Sequence, residues 1–214
     1  MSVSRGILGG TFNPLHNAHL RLAEVAREAL DLAMVLFVPA GDPPLKRAGI
    51  APAADRLEMV RSATASNASF EVSDLEVRRQ GPSYTVDTLR ELSRRFPGDP
   101  LWFILGSDAM AGIDRWAEPA ALFGLASFAV VERPNWNGSA RELLPASLAT
   151  GFRGGPHGLI HDSGNELRTL EFTPLGISAS DIRGRVARRA SIRYLVPDEV
   201  IDYIEKHQLY REIS

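Results

Sequence analysis

No cysteine occurs in the 214 residues, so neither a disulfide framework nor a thiolate metal site is available, which fits a reducing cytoplasm. No stretch approaches the ~20 consecutive apolar residues that a membrane span needs. The opening MSVSRGILGG also lacks the apolar core of a signal peptide. An excess of charge of either sign is lacking: 24 Lys and Arg face 26 Asp and Glu, a formal net charge of -2. No global basic field therefore draws the chain towards nucleic acid or an anionic membrane, and any polyanion must be bound locally. Apolar residues at 44% and charged residues at 23% suit a globular chain that can bury a core. The length suits one sizeable domain. The expectation is a soluble cytoplasmic protein with a single domain over 1–214, helical at its end from about 176 to 214.

The chain has no internal repeat, but it alternates. Short runs rich in Val, Ile, Phe and Leu recur at 5–10, 34–40, 101–106 and 127–133. Between them lie segments of helical spacing. In 19–32, Leu22, Val25, Ala26, Ala29 and Leu30 share one face; near 55–66, Leu57, Val60 and Ala63 do; in 85–96, Val86, Leu89 and Leu92 do. Strands alternating with helices predict an α/β fold, a single doubly wound (Rossmann-like) parallel sheet. The Asn, Gly and Pro content of 134–157 reads as a surface excursion with one short helix near 139–148. The last ~40 residues form a helical C-terminal appendix, with Pro197 suited to a first helical turn. Ligands of such sheets bind at the carboxyl ends of the strands, so functional residues should follow the apolar runs.

The first run ends in GGTFNPLHNAHL, residues 9–20, directly before a helix. Gly9 and Gly10 let the backbone approach a ligand where a Cβ would collide. His16 and His19, three apart as the helix begins, can point at one place. A helix N-terminus suits phosphate, and two imidazoles there can donate to oxygens that gain charge in phosphoryl chemistry. A metal site is the alternative for an i, i+3 histidine pair, but the zinc-protease pattern needs i, i+4 spacing and an adjacent Glu. A dehydrogenase is disfavoured because the first turn lacks G-x-G-x-x-G.

GGTFNPLHNAHL resembles the signature of the HxGH nucleotidyltransferases, and ISASDIR at 177–183 resembles their second signature, ISSTxIR. On its own, the second segment is a sound helix start that Ser178 can cap. Further stretches resemble the nicotinate-nucleotide adenylyltransferases nearly end to end: PAGDPPLK at 39–46, GPSYTVDTL at 81–89, LGSDAMAGIDRW at 105–116 and VVERP at 130–134. The resemblance implies adenylyl transfer from ATP to nicotinate mononucleotide, giving nicotinate adenine dinucleotide and pyrophosphate in NAD biosynthesis. It assigns His16, His19, Lys46 and Arg183 to the reacting and leaving phosphates. It assigns Gly9, Gly10, Thr11, Phe12, Gly106, Ser107, Asp108, Arg133, Ile177, Ser178 and Ser180 to ATP. Tyr84, Thr85, Asp108 and Trp116 fall to the nicotinate nucleotide. Mg²⁺ is expected to arrive with ATP, held mainly by phosphates and water, and no protein metal site is expected.

Read without the family, Tyr84 and Trp116 are core aromatics ahead of ligand contacts, and Asp108 is also a candidate N-cap of the following helix. The chain departs from the pattern at Ala18 (usually Gly), Leu45 (often His), Ala179 (usually Ser) and Asn135–Trp136 after the RP pair. A rival from another class is a catalytically silent nucleotide-binding module, whose mark would be a lost histidine, lysine or arginine; all four are present. The partners expected are the two nucleotides, with neither nucleic acid nor membrane. A homo-oligomer is compatible with the sequence, which does not decide it.

Overall fold

The apolar runs become strands because β-branched and aromatic side chains fit a pleated, covered surface. In the computed structural model, which describes residues 2–43, 49–131, 139–173 and 175–211, the first four strands are β1 (Arg5–Gly10), β2 (Met34–Pro39), β3 (Phe70–Val72) and β4 (Leu101–Gly106). β5 (Ser127–Val131), β6 (Phe152–Gly155), β7 (Gly158–His161) and β8 (Glu166–Leu170) follow. The helices are α1 (Asn17–Ala29), α2 (Ala53–Thr64), α3 (Leu75–Arg78), α4 (Thr85–Arg95), α5 (Ser107–Ala111), α6 (Pro119–Leu125), α7 (Ala140–Leu143), α8 (Ala179–Ala187) and α9 (Asp198–Lys206).

The strands follow the order β3-β2-β1-β4-β5-β8-β7-β6. β1, β4, β5 and β8 pair in parallel, whereas β7 pairs antiparallel with β8 and with β6. The sheet is therefore mostly parallel with an antiparallel hairpin at one edge. The chain moves outward from β1 to β2 and β3, then returns to β4 on the other side of β1. That reversal is the switch point at which open α/β sheets bind ligands, and Gly10 ends β1 as Gly106 ends β4.

Three sequence expectations change. Residues 152–155 lie in the supposed surface excursion yet form β6, while its short helix is α7, closed by a capping box between Ser139 and Glu142. On α1 the buried residues are Ala23 and Ala26, and Ala29 is exposed. Pro197 is the N-cap of α9, one position before the first turn.

By contacts the chain forms two compact units that interleave along the sequence. One takes Met1–Gly9, Ala23–Val35 and Tyr84–Pro174. Its core is strongly aromatic: Phe128 lies 5.6 Å from Phe103 and 4.7 Å from Phe123 between ring centres, and Phe123 meets Phe152 edge-on at 5.0 Å. The other takes Gly10–Leu22, Leu36–Ser83 and Leu175–Ser214. There Val200, Ile201 and Ile204 form the apolar stripe of α9. They pack with Ile182 of α8 and Met59 of α2, so the C-terminal helices close over α2. Tyr203 on α9 also donates to Asp55 Oδ1 at 2.9 Å.

Candidate active site

The glycine-rich loop leaves β1 and turns sharply, with Phe12 at φ 46° and a cis Asn13–Pro14 bond. A Cβ on Gly10 would lie 3.1 Å from the Phe12 ring, so glycine there makes room for Phe12 as well as for any ligand. His16 is the residue before α1, and its carbonyl accepts from His19 N at 2.9 Å and Leu20 N at 3.4 Å. Its N–H donates back to His19 Nδ1 at 3.2 Å. Because Nδ1 accepts, neutral His19 carries its proton on Nε2. The two imidazoles stack at 3.7 Å, and His19 meets the Phe12 edge at 5.1 Å.

The histidines differ in burial. His16 is only 6% exposed, and burial lowers its pKa to about 4, so it is neutral at physiological pH. Its Nδ1 has no hydrogen-bond partner among the described residues. His19, by contrast, reaches a cavity of about 610 Å³.

That cavity joins the two signatures. Gly10, Thr11, Phe12, Asn13 and His19 line it with Ile50, Ala179, Ser180 and Arg183. Ser178 caps α8 by accepting from Asp181 N at 3.2 Å and lies 3.2 Å from the Ser180 hydroxyl. Arg183 crosses 170 positions to donate to the Asn13 carbonyl at 2.9 Å. A helix N-terminus, a serine hydroxyl, a guanidinium and an imidazole thus meet in one cleft, a donor set suited to polyphosphate. A larger cavity, about 890 Å³, lies among Val186, Ile192, Arg193 and Ile204 and contains no signature residue, so size does not pick the site.

The Cytidylyltransferase-like family matches residues 7–185. The protein of Geobacter sp. strain M21 named probable nicotinate-nucleotide adenylyltransferase is 49% identical over 209 residues, spanning 96% of this chain and 97% of its own. Its namesake from Geobacter metallireducens is 47% identical over 211 residues, with 96% and 97% covered. This chain belongs to the nicotinate-nucleotide adenylyltransferase family. Its fold is also that of Plasmodium falciparum nicotinic acid mononucleotide adenylyltransferase complexed with NaAD (TM-score 0.74, 20% identity, 98% of both chains).

The remaining residues that the family resemblance singles out lie elsewhere. Ile177 packs its side chain on the cluster around Met59 and Ile182 rather than in the cleft. In the other unit, Gly9 abuts the Phe103 ring, which meets half-buried Trp116 in a T-shaped pair at 6.1 Å. Gly106 is the N-cap of α5 and Ser107 opens it, so Asp108 is a first-turn residue and not the cap. Tyr84, 39% exposed, is no core aromatic; it precedes α4, which Thr85 opens. Arg90 of that helix grips Glu118 with two bonds, 2.8 and 2.6 Å. Lys46, Arg133, Leu45, Asn135 and Trp136 lie outside the described residues. Of the departures, Ala18 is half-buried on α1 and Ala179 brings a methyl to the cleft in place of a hydroxyl.

Sequence reasoning passed over Asn13, Gly41, Arg56 and Tyr210. Arg56 is 1% exposed, and burial lowers its pKa while nearby Tyr210 and Glu76 offset the shift. It falls on the apolar stripe of α2, with Val60 and Ala63, where an arginine needs a reason. That was a readable signal. Tyr210 meets Asn13 across 197 positions, which no local pattern reports.

Proposed function

We propose that ATP binds in the cleft and that the chain transfers its adenylyl group to nicotinate mononucleotide, releasing pyrophosphate and forming nicotinate adenine dinucleotide. This is nicotinate-nucleotide adenylyltransferase activity, a step of NAD biosynthesis. The observation that carries the site is the meeting of both signatures, far apart in sequence, around one cavity. The acceptor follows from the near-half identity to proteins bearing that name along almost the whole chain.

A 5′-phosphate oxygen of the acceptor attacks the α-phosphorus of ATP in line. The bond between α-phosphorus and the bridging oxygen breaks, and pyrophosphate leaves with that electron pair. The nucleophile is already an anion at neutral pH, so no general base is needed; positioning and charge neutralisation supply the catalysis. His19 donates its Nε2–H to an α-phosphate oxygen as charge develops. Neutral His16, buried and stacked behind it, fixes the ring rather than meeting the phosphate itself. Arg183, Ser180 and the start of α8 take the β- and γ-phosphates, with Lys46, and Arg133 approaches ATP. Asp108 orients a ribose, while Tyr84, Thr85 and Trp116 receive the nicotinate group.

Among the described residues no three His, Asp or Glu side chains gather as a metal cage. Mg²⁺ would arrive on the triphosphate, held mainly by phosphates and water, and would supply charge neutralisation there. The matched region runs through both compact units, which supports reading them as one nucleotidyltransferase domain. No described helix is long and apolar enough to cross a membrane, and the lack of cysteine supports a cytoplasmic setting.

The test is pyrophosphate release with ATP and Mg²⁺, offering nicotinate and nicotinamide mononucleotides separately. Release with the acid alone is expected. Equal release with the amide would undo the assignment of Tyr84, Thr85 and Trp116, and silence with both would overturn the reaction.

A further inference from the structure

Behind the cleft, two side chains that do not line it hold the backbone of the loop that does. Arg56 fans its guanidinium across three separate stretches of chain. Its Nε donates to the Ala51 carbonyl at 2.9 Å, Nη1 to the Thr11 carbonyl at 2.7 Å and Nη2 to the Gly41 carbonyl at 3.0 Å. Only the planar fork of arginine reaches three acceptors in fixed directions. In a trans peptide the carbonyl and the following N–H point opposite ways. Turning the Thr11 carbonyl to Arg56 therefore turns the Phe12 N–H away from Arg56.

Tyr210 completes the frame from the C-terminal segment. Its hydroxyl donates to Asn13 Oδ1 at 2.8 Å, and the same oxygen accepts from Ala51 N at 3.0 Å. Asn13 Nδ2 donates to the Gly49 carbonyl at 2.8 Å, and the Asn13 carbonyl accepts from Arg183. Asn13 is 6% exposed, so solvent competes little for its side chain. The loop needs such outside support, because a non-glycine residue at positive φ, here Phe12, is disfavoured by about 1–2 kcal/mol.

We propose that Arg56 and Tyr210 are positioning residues for adenylyl transfer, setting the place of Thr11, Phe12 and Asn13 against the nucleotide without touching it. The proposal rests on ATP binding in this cleft. It explains why a charged side chain is buried on α2 and why a tyrosine nearly two hundred positions downstream points its hydroxyl at the first signature.

The experiment compares full-length Tyr210→Phe, Arg56→Lys and His19→Ala with the parent chain, by thermal melting and by pyrophosphate release with each nucleotide varied in turn. Tyr210→Phe keeps the ring and its packing, so its melting temperature stays close to the parent's. Losing one hydrogen bond to the frame raises its KM for ATP roughly three- to tenfold, with KM for nicotinate mononucleotide unchanged. Arg56→Lys keeps the charge but loses the fork, and raises KM for ATP further. The double variant falls short of the product of the two, since both act through one loop. A parental KM for ATP in Tyr210→Phe, with any loss confined to melting temperature, overturns the proposal even if Arg56→Lys does not fold. If His19→Ala turns over normally, the cleft is not the reaction site and the positioning role falls with it. If His19→Ala is crippled while Tyr210→Phe binds ATP as the parent does, only the positioning role falls.

Discussion

His16 and His19 are three residues apart in one motif and yet have different tasks, because one is buried and the other faces the cleft. Removing a donor aimed at developing charge costs roughly 10²–10³ in rate. His19→Ala is therefore expected to lose at least that much of kcat while melting like the parent, and near-parental turnover would remove His19 from the chemistry. His16 leaves its mark on stability instead. Its pKa is about 4 in the folded chain against 6.5 for a free imidazole, so between those values the unfolded chain binds a proton that the folded chain refuses. Stability is full above pH 6.5 and is lost as the pH falls towards 4, by on the order of 3 kcal/mol for this group. Urea unfolding at a series of pH values should show that slope in the parent and a shallower one in His16→Gln. Equal slopes would mean that His16 is not held neutral by burial.

Among the elements, the loop after β2 depends on one glycine. A Cβ on Gly41 would sit 2.1 Å from the Glu76 carbonyl oxygen, and that oxygen is backbone and cannot swing aside. Gly41→Ala should cost about 1–3 kcal/mol, read as a fall in melting temperature of roughly 5 °C for a chain of this size. An unchanged melting curve would show that α3 and the loop yield freely. The same scale explains which elements could be read from the sequence. Strands β1, β2, β4 and β5 announced themselves as apolar runs, and α2 and α4 as stripes of helical period. The edge hairpin did not. β6 and β7 carry Gly154, Gly155 and Gly158 and are shaped by pairing with each other and with β8, so composition alone made 152–155 look like loop. β3, at three residues, is too short to hold a pattern.

For the molecule as a whole, the motifs named His19, Ser180 and Arg183 of the cleft, but not the frame beneath it. Motifs are local, whereas Arg56 acts through backbone carbonyls that any residue could supply and Tyr210 reaches the Asn13 side chain from 197 positions away. ATP binds only the folded chain in this account, so at about a hundred times its dissociation constant it adds ~2.7 kcal/mol. The melting temperature should rise by roughly 5–10 °C at that concentration, and by far less in Arg183→Ala. No rise in the parent would contradict the assigned cleft.

The bonds that Asn13 receives from Arg183 and Tyr210 span 170 and 197 positions. Closing loops of that length costs chain entropy before the contacts repay it. The nucleotide cleft exists only once both signatures have met, and affinity for ATP becomes a measure of that meeting. A refolding sample titrated with a fluorescent ATP analogue would count only the molecules that have brought the first signature and the final helices together, and would ignore chains whose sheet alone has formed.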